Sequence, residues 1–169
     1  MRSLAVVLSL TCSLAWATYA WWVTVLIEPK GTKYEGVPVQ NLATPLKALT
    51  LLSCASSAAT FTPEQCAEVK ANSARFEVIG DFNKDKTTDI ARVGVAELKT
   101  GGLVRVLLIG PKGKPKQHQM FTLSENGFST LIGDDPLAWY QCMECGHGAD
   151  IKWDATKKEY VLEWGEDYG

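Results

Sequence analysis

The apolar positions change rhythm twice along the chain. From Leu4 to Ile27, 24 positions carry no ionisable acid or base. Between about residues 44 and 71 apolar residues recur at helical spacing, and beyond Asn72 they alternate with polar ones at a period of two. The first run is long enough to cross a bilayer, which takes about 20 residues. It also parses as a leader behind Arg2: Leu4–Leu14 forms a compact h-region, Ala15-Trp16-Ala17 an A-x-A cleavage site and Thr18-Tyr19-Ala20 a poorer one. Residues 1–20 are expected to be a signal peptide, with an uncleaved single-span anchor as the alternative, and 21–169 a single exported domain. After cleavage, Trp21 to Ile27 would open that domain as an aromatic and β-branched strand.

Glu28 to Gln40, with two prolines and two glycines, reads as an extended arm. Thr44-Pro45 resembles an N-cap with Pro at the first helical position, and Leu46, Leu49 and Leu52 continue an apolar stripe to about Ser57. A second helix starts at Thr62-Pro63-Glu64-Gln65, whose T-x-x-Q spacing is a capping box, and runs to about Ala71. The two would form a helical hairpin. Strands are predicted at Arg75–Ile79, Ile90–Leu98, Leu103–Ile109, Gln119–Leu123, Ser129–Ile132, Leu137–Gln141, Ala149–Trp153 and Tyr160–Trp164. The fold class is therefore α+β: an antiparallel meander behind an N-terminal helical hairpin, with no helices placed to make parallel crossovers.

Composition narrows the function more than it identifies it. With 46% hydrophobic and 21% charged residues the chain is globular, and a net charge of −2 removes the basic excess of a nucleic-acid binder. The lysines of Gly110–Lys116 have no interleaved aromatic residues and read as a solvated loop. Asp134-Asp135 before Pro136 reads as a turn, not a catalytic pair. Cys12 follows Leu10-Thr11 and lacks the small residue that precedes a lipid-modified cysteine. That leaves Cys54, Cys66, Cys142 and Cys145, an even number in an exported chain, whose spacing favours disulfides Cys54–Cys66 and Cys142–Cys145.

Two segments carry candidate chemistry. In Cys142-Met143-Glu144-Cys145-Gly146-His147 the intervening glycine breaks the haem-attachment spacing. A disulfide-pinned hairpin turn is favoured over a redox pair, and over zinc held by Cys142, Cys145 and His147 with Asp150 or another group as fourth ligand. In the second segment, oxygen-bearing side chains fall at alternate positions of a loop between two strands: Asp81, Asn83, Asp85 and Asp89, with Thr87 able to offer its carbonyl. Calcium takes six to eight oxygens, and such a loop supplies most of them from one short stretch.

The run Phe76 to Asn83, with Asp85, Asp89-Ile90-Ala91 and Val93-Gly94-Val95, resembles one FG-GAP/VCBS-type repeat over about 20 residues. The resemblance implies a β-hairpin with a calcium loop, whose ligands would be Asp81, Asn83, Asp85, Thr87 through its backbone, and Asp89. The glycine that follows the third ligand in that family is Lys86 here, at a position that usually needs a left-handed backbone. No second copy of the motif is present, so the chain is not a propeller by itself. Beyond this repeat it resembles small exported bacterial proteins of unknown function.

Trp139, Tyr140, Trp153 and Trp164 fall on successive predicted strands and could form a binding platform on one face, although such stripes are more often core. No nucleophile elbow, metalloprotease, phosphate-loop or dinucleotide fingerprint occurs. The expectation is a non-catalytic binding protein of the bacterial envelope, periplasmic or secreted, with another envelope protein as its partner and a periplasmic inhibitor or immunity-type role among its possible forms. The competing class is a thiol–disulfide oxidoreductase or zinc site built on Cys142 and Cys145.

Overall fold

The computed structural model describes residues 20–143, 146 and 148–165. The expected leader up to residue 19, together with Cys145 and His147, lies outside the described residues. In chain order the elements are a helical turn α1 (Trp21–Thr24), a small hairpin β1 (Lys33–Tyr34) and β2 (Val37–Pro38), a 3-10 turn at Val39–Asn41, β3 (Leu46–Leu51) and α2 (Pro63–Ala71). Then come β4 (Glu77–Gly80), β5 (Asp89–Leu98), β6 (Leu103–Pro111), a 3-10 turn at Pro115–Gln117, β7 (Gln119–Ser124), β8 (Thr130–Ile132), β9 (Leu137–Tyr140), β10 (Gly148–Asp154) and β11 (Glu159–Trp164).

Two local expectations are corrected first. The first helix of the expected hairpin is instead β3, paired antiparallel with β5. Its register shifts between Leu46 and Ala48, where two residues of β3 advance against one of β5. A bulge of this kind inserts one residue into a strand and resets its alternation. Leu46 and Leu49 therefore face the same core three residues apart, and that spacing imitates one turn of a helix. The second correction is at Trp21–Ile27, where the chain forms a single helical turn and not a strand. On a strand Trp21 and Trp22 would point to opposite faces. The turn, closed by Val23 N to Ala20 O and Val25 N to Trp21 O at 3.0 Å each, delivers both to one core and leaves Val23 and Leu26 exposed.

α2 forms as its capping box requires: the Thr62 hydroxyl accepts from Gln65 N at 3.3 Å, and Gln65 Oε1 accepts from Thr62 N at 2.9 Å. A disulfide ties Cys66, early in this helix, to Cys54 in the loop that leads to it.

The strands divide into two larger antiparallel sheets rather than one meander. The first has the order β3-β5-β6-β7, and β4 shares with β3 the edge of β5 that β6 does not use. The second is the meander β8-β9-β10-β11. They pack face to face over a core that includes Ala91, Val93, Val95, Leu107 and Ile109 from the first, and Leu131, Leu137, Trp139, Ile151 and Tyr160 from the second. The opposite face of the first sheet is covered by the N-terminal arm, whose Tyr34, Val39 and Leu42 bury Leu46, Leu49, Ala96, Val106 and Leu108. β5 and β6 are apolar on both faces because both are covered. No helix among the described residues is long and apolar enough to cross a membrane.

Candidate functional site

The acidic loop joins β4 to β5 as a hairpin, with Gly80 opposite Asp89 in the ladder. Gly80 is needed there: a Cβ on it would stand 2.7 Å from the ring of Phe82, which folds back beneath the strand and reaches the core. Inside the loop, oxygens that could serve a cation organise the backbone. Asp81 accepts from Asp85 N through Oδ1 at 3.0 Å and from Lys86 N through Oδ2 at 2.9 Å. Asn83 Oδ1 accepts from Asp85 N at 3.1 Å, and Asp85 accepts from Thr87 N at 2.6 Å and from the Asn83 amide at 3.0 Å. The Thr87 backbone bond, with the Asn83 amide, holds the Asp85 carboxyl below its ordinary range. Thr87 itself lies at the exposed end of the loop, its N–H spent on Asp85.

Lys86 takes φ +69°, the left-handed backbone that a glycine would occupy in the resembled motif, and Lys84 takes φ +59°. Both lysines hold this conformation at a strain of order 1 kcal/mol for each L-residue.

Asp89 differs from the other loop acids. It is fully buried, on the inner face of β5. Its Oδ2 accepts from Tyr160 Oη at 2.8 Å and from Phe82 N at 3.2 Å, and its buried Oδ1 has no hydrogen-bond partner. Burial first, then this carboxylate, push the Tyr160 phenol well above its ordinary range. Among the described residues no three His, Cys, Asp or Glu side chains gather as a metal site. A cation would have to draw the carboxylates of Asp81, Asp85 and Asp89 together.

The loop forms one wall of a cleft of about 530 Å³. Asp134, Asp135 and Pro136 form the opposite rim, joined by a cis peptide at Asp135–Pro136, and Ile151, Lys152 and Trp153 of β10 line the floor. Lys84 Nζ reaches across to Asp135 Oδ2 at 3.6 Å, while Asp134 pairs with Arg75 at 2.8 Å. The Asp134-Asp135 turn, read from the sequence as plain structure, is thus brought beside the acidic loop. The signal for this was weak, since nothing local links residues some fifty positions apart.

The expected aromatic platform is only partly assembled. Ala149 pairs with Trp139 on one side and Trp164 on the other, and Trp153 pairs with Tyr160, so the three tryptophans do share one face of their sheet. That face is the packed one, and Trp139 is fully buried. Trp153 is half-buried against Tyr160, with ring centroids 5.0 Å apart, and borders the cleft. Tyr140 lies on the other face over Gly148, where an added Cβ would meet its ring at 2.6 Å.

Cys142 is buried and disulfide-bonded. A sulfur so engaged is not a thiolate ligand for zinc. Asp150, one candidate for the fourth ligand of the zinc reading, stands on the outer face of β10 opposite Glu163. Against family models, curated proteins and solved structures alike, the chain has no match.

Proposed function

We propose that this is a non-catalytic, exported binding protein whose acidic hairpin takes up calcium and, so ordered, forms one wall of its binding cleft. The observation that carries the reading is Asp89: a fully buried carboxylate at the end of the loop, with one oxygen engaged and the other without a partner. An unpaired buried charge is costly, and a cation beside it would offset that cost. Asp81, Asn83 and Asp85 supply further oxygens, already held on short turns of backbone, and Thr87 offers its carbonyl. The left-handed Lys86 supports the resemblance at the position where this sequence departs from it. The Cys54–Cys66 bridge fits an oxidising compartment outside the cytoplasm. The partner is another envelope protein, contacted through the cleft between the loop and Asp134–Leu137 and through Trp153.

Calcium should raise the melting temperature, because it binds the folded state preferentially. Terbium in place of calcium should luminesce on excitation of Trp153 and Tyr160, which lie beside the loop. A melting temperature unchanged across millimolar calcium, with no sensitised terbium emission, overturns the metal part of the proposal.

A further inference from the structure

β4 is an edge strand whose outer side is open. Val93 N on β5 donates to Phe76 O at 3.1 Å, continuing the register that pairs Glu77 with Arg92 and Val78 with Ala91. In an antiparallel ladder successive residues turn their N–H and C=O to opposite sides. Phe76, Val78 and Gly80 therefore face β5, while Arg75, Glu77 and Ile79 turn their backbone groups outward. Arg75 spends both on β8, donating to Leu131 O at 2.9 Å and accepting from Leu131 N at 2.7 Å. Among the described residues nothing bonds the outward groups of Glu77 and Ile79.

Other edges are covered: Gly31 bonds Leu49 of β3 from outside, and the Gln119 amide takes the N and O of Tyr160 on β11. Proteins blunt an exposed edge with lysine, proline, a bulge or a covering segment. β4, Glu77-Val78-Ile79-Gly80, has no lysine, proline or bulge, and Ile79 is 47% exposed. The edge also joins two cavities. Ile79 and Gly80 line the acidic cleft, whereas Arg75, Phe76 and Glu77 line a groove of about 810 Å³ walled by Leu51, Leu52, Val69 and the Cys54–Cys66 bridge. Along this path Glu77 pairs with Arg92 at 2.6 Å, Arg75 with Asp134 at 2.8 Å and Lys84 with Asp135 at 3.6 Å. These pairs neutralise the charges of the edge within the chain, which suits an occupant whose side chains are uncharged and apolar.

We infer that β4 receives an extended, uncharged segment of the partner protein as an added strand, running from the groove to the cleft. Its main chain bonds the outward N–H and C=O of Glu77 and Ile79, and its apolar side chains enter the groove beside Phe76. Main-chain bonds give such a strand its affinity and the pockets for alternate side chains its specificity. The inference rests on the reading of the cleft as the partner site and names the form in which the partner is held there.

A linear heptapeptide library displayed on phage is selected on the intact protein, and the enriched peptide, made synthetically, is the probe. Its consensus should be apolar and uncharged, and its binding should slow amide hydrogen exchange at Glu77 and Ile79. Methylating one alternate set of its backbone nitrogens should weaken binding at least about tenfold, while the other set, facing solvent, tolerates it. Ile79→Pro removes an outward N–H and no bond of the β4–β5 ladder, so the variant should melt near the parent yet bind the probe at least about tenfold more weakly. A probe indifferent to both methylation patterns or to Ile79→Pro overturns strand addition. If that probe still perturbs Trp153 and Asp134-Asp135 the cleft reading stands, and if it perturbs neither β4 nor the cleft both fall. A charged consensus, a selection that enriches nothing, or an edge taken by a second copy in a dimer that Ile79→Pro abolishes also overturns the inference.

Discussion

The hydroxyl of Tyr160 donates to Asp89 Oδ2 at 2.8 Å across the interface between the two sheets. Through this bond the end of the acidic loop is fastened to β11. A second tie lies beside it: the Gln119 amide donates to Tyr160 O at 3.2 Å and accepts from Tyr160 N at 2.5 Å. Loop and sheet packing are therefore one structural unit.

Asp89→Asn and Asp89→Ala separate structural from cation-binding roles. The carboxamide keeps an acceptor for Tyr160 and Phe82 N while removing the charge, so stability should change by less than about 1 kcal/mol. Its response to calcium should vanish. The alanine leaves the Tyr160 hydroxyl and Phe82 N without their acceptor and should cost about 2–4 kcal/mol. Denaturant titrations with and without calcium check both. An Asp89→Asn protein that still gains stability from calcium would exclude this carboxylate as a ligand.

Lys86→Gly tests the departure from the resembled motif. Glycine adopts the observed φ without strain, which offsets its greater freedom in the unfolded chain. It also removes a cation from the loop. We expect a stability change between zero and about +1 kcal/mol, together with several-fold tighter calcium binding by calorimetry. Equal or weaker affinity in the variant would show that Lys86 does not limit binding.

Most strands were legible because each carries period-two alternation bounded by turn residues, as in β10 and β11 on either side of Asp154-Ala155-Thr156. The α2 start was legible because a capping box is a local device. β3 was not, because its bulge at Lys47 gave Leu46 and Leu49 a helix-like spacing that only pairing with β5 explains. The division into two sheets was hidden for a similar reason: period two marks a strand but not its partner. At the site, the oxygen-bearing side chains of the loop could be read from consecutive residues. The role of Tyr160 and the rim at Asp134-Asp135 depend on sheet packing and left no local trace.

The Cys54–Cys66 bridge closes a loop with a sequence separation of 12 between the end of β3 and α2. Constraining a loop of this size in the unfolded chain is worth about 3 kcal/mol in the chain-entropy account. The double variant Cys54→Ser/Cys66→Ser should lose about 2–3 kcal/mol in urea unfolding. It should keep the calcium response, since the bridge does not touch the acidic loop. Loss of that response with the fold intact would mean that the disulfide supports the site.

Tyr34 makes the fold sensitive to alkali. It is buried between the arm that carries it and the first sheet, and its hydroxyl lies 2.9 Å from His118 Nδ1. His118 Nε2 is 2.9 Å from the Pro111 carbonyl, which can only accept, so Nε2 carries the ring proton and Nδ1 accepts from Tyr34. Burial, partly offset by Arg92 5.9 Å over the ring, pushes the phenol up to about 12. Below pH 10 the phenol is protonated both folded and unfolded, and the stabilisation is complete. As pH rises from 10 to 12 only the unfolded chain releases the proton, so stability falls, by about 2–3 kcal/mol over the interval. Tyr34→Phe should cost about 1 kcal/mol at pH 8 by losing one hydrogen bond, yet lose less than the parent between pH 10 and 11. Tyr160, whose pKa is also raised, should account for much of the remaining slope, so Tyr34→Phe/Tyr160→Phe should be nearly flat. Urea midpoints at pH 8, 10 and 11 measure this, and parallel alkaline slopes in parent and variants would show that neither phenol is held protonated by the fold.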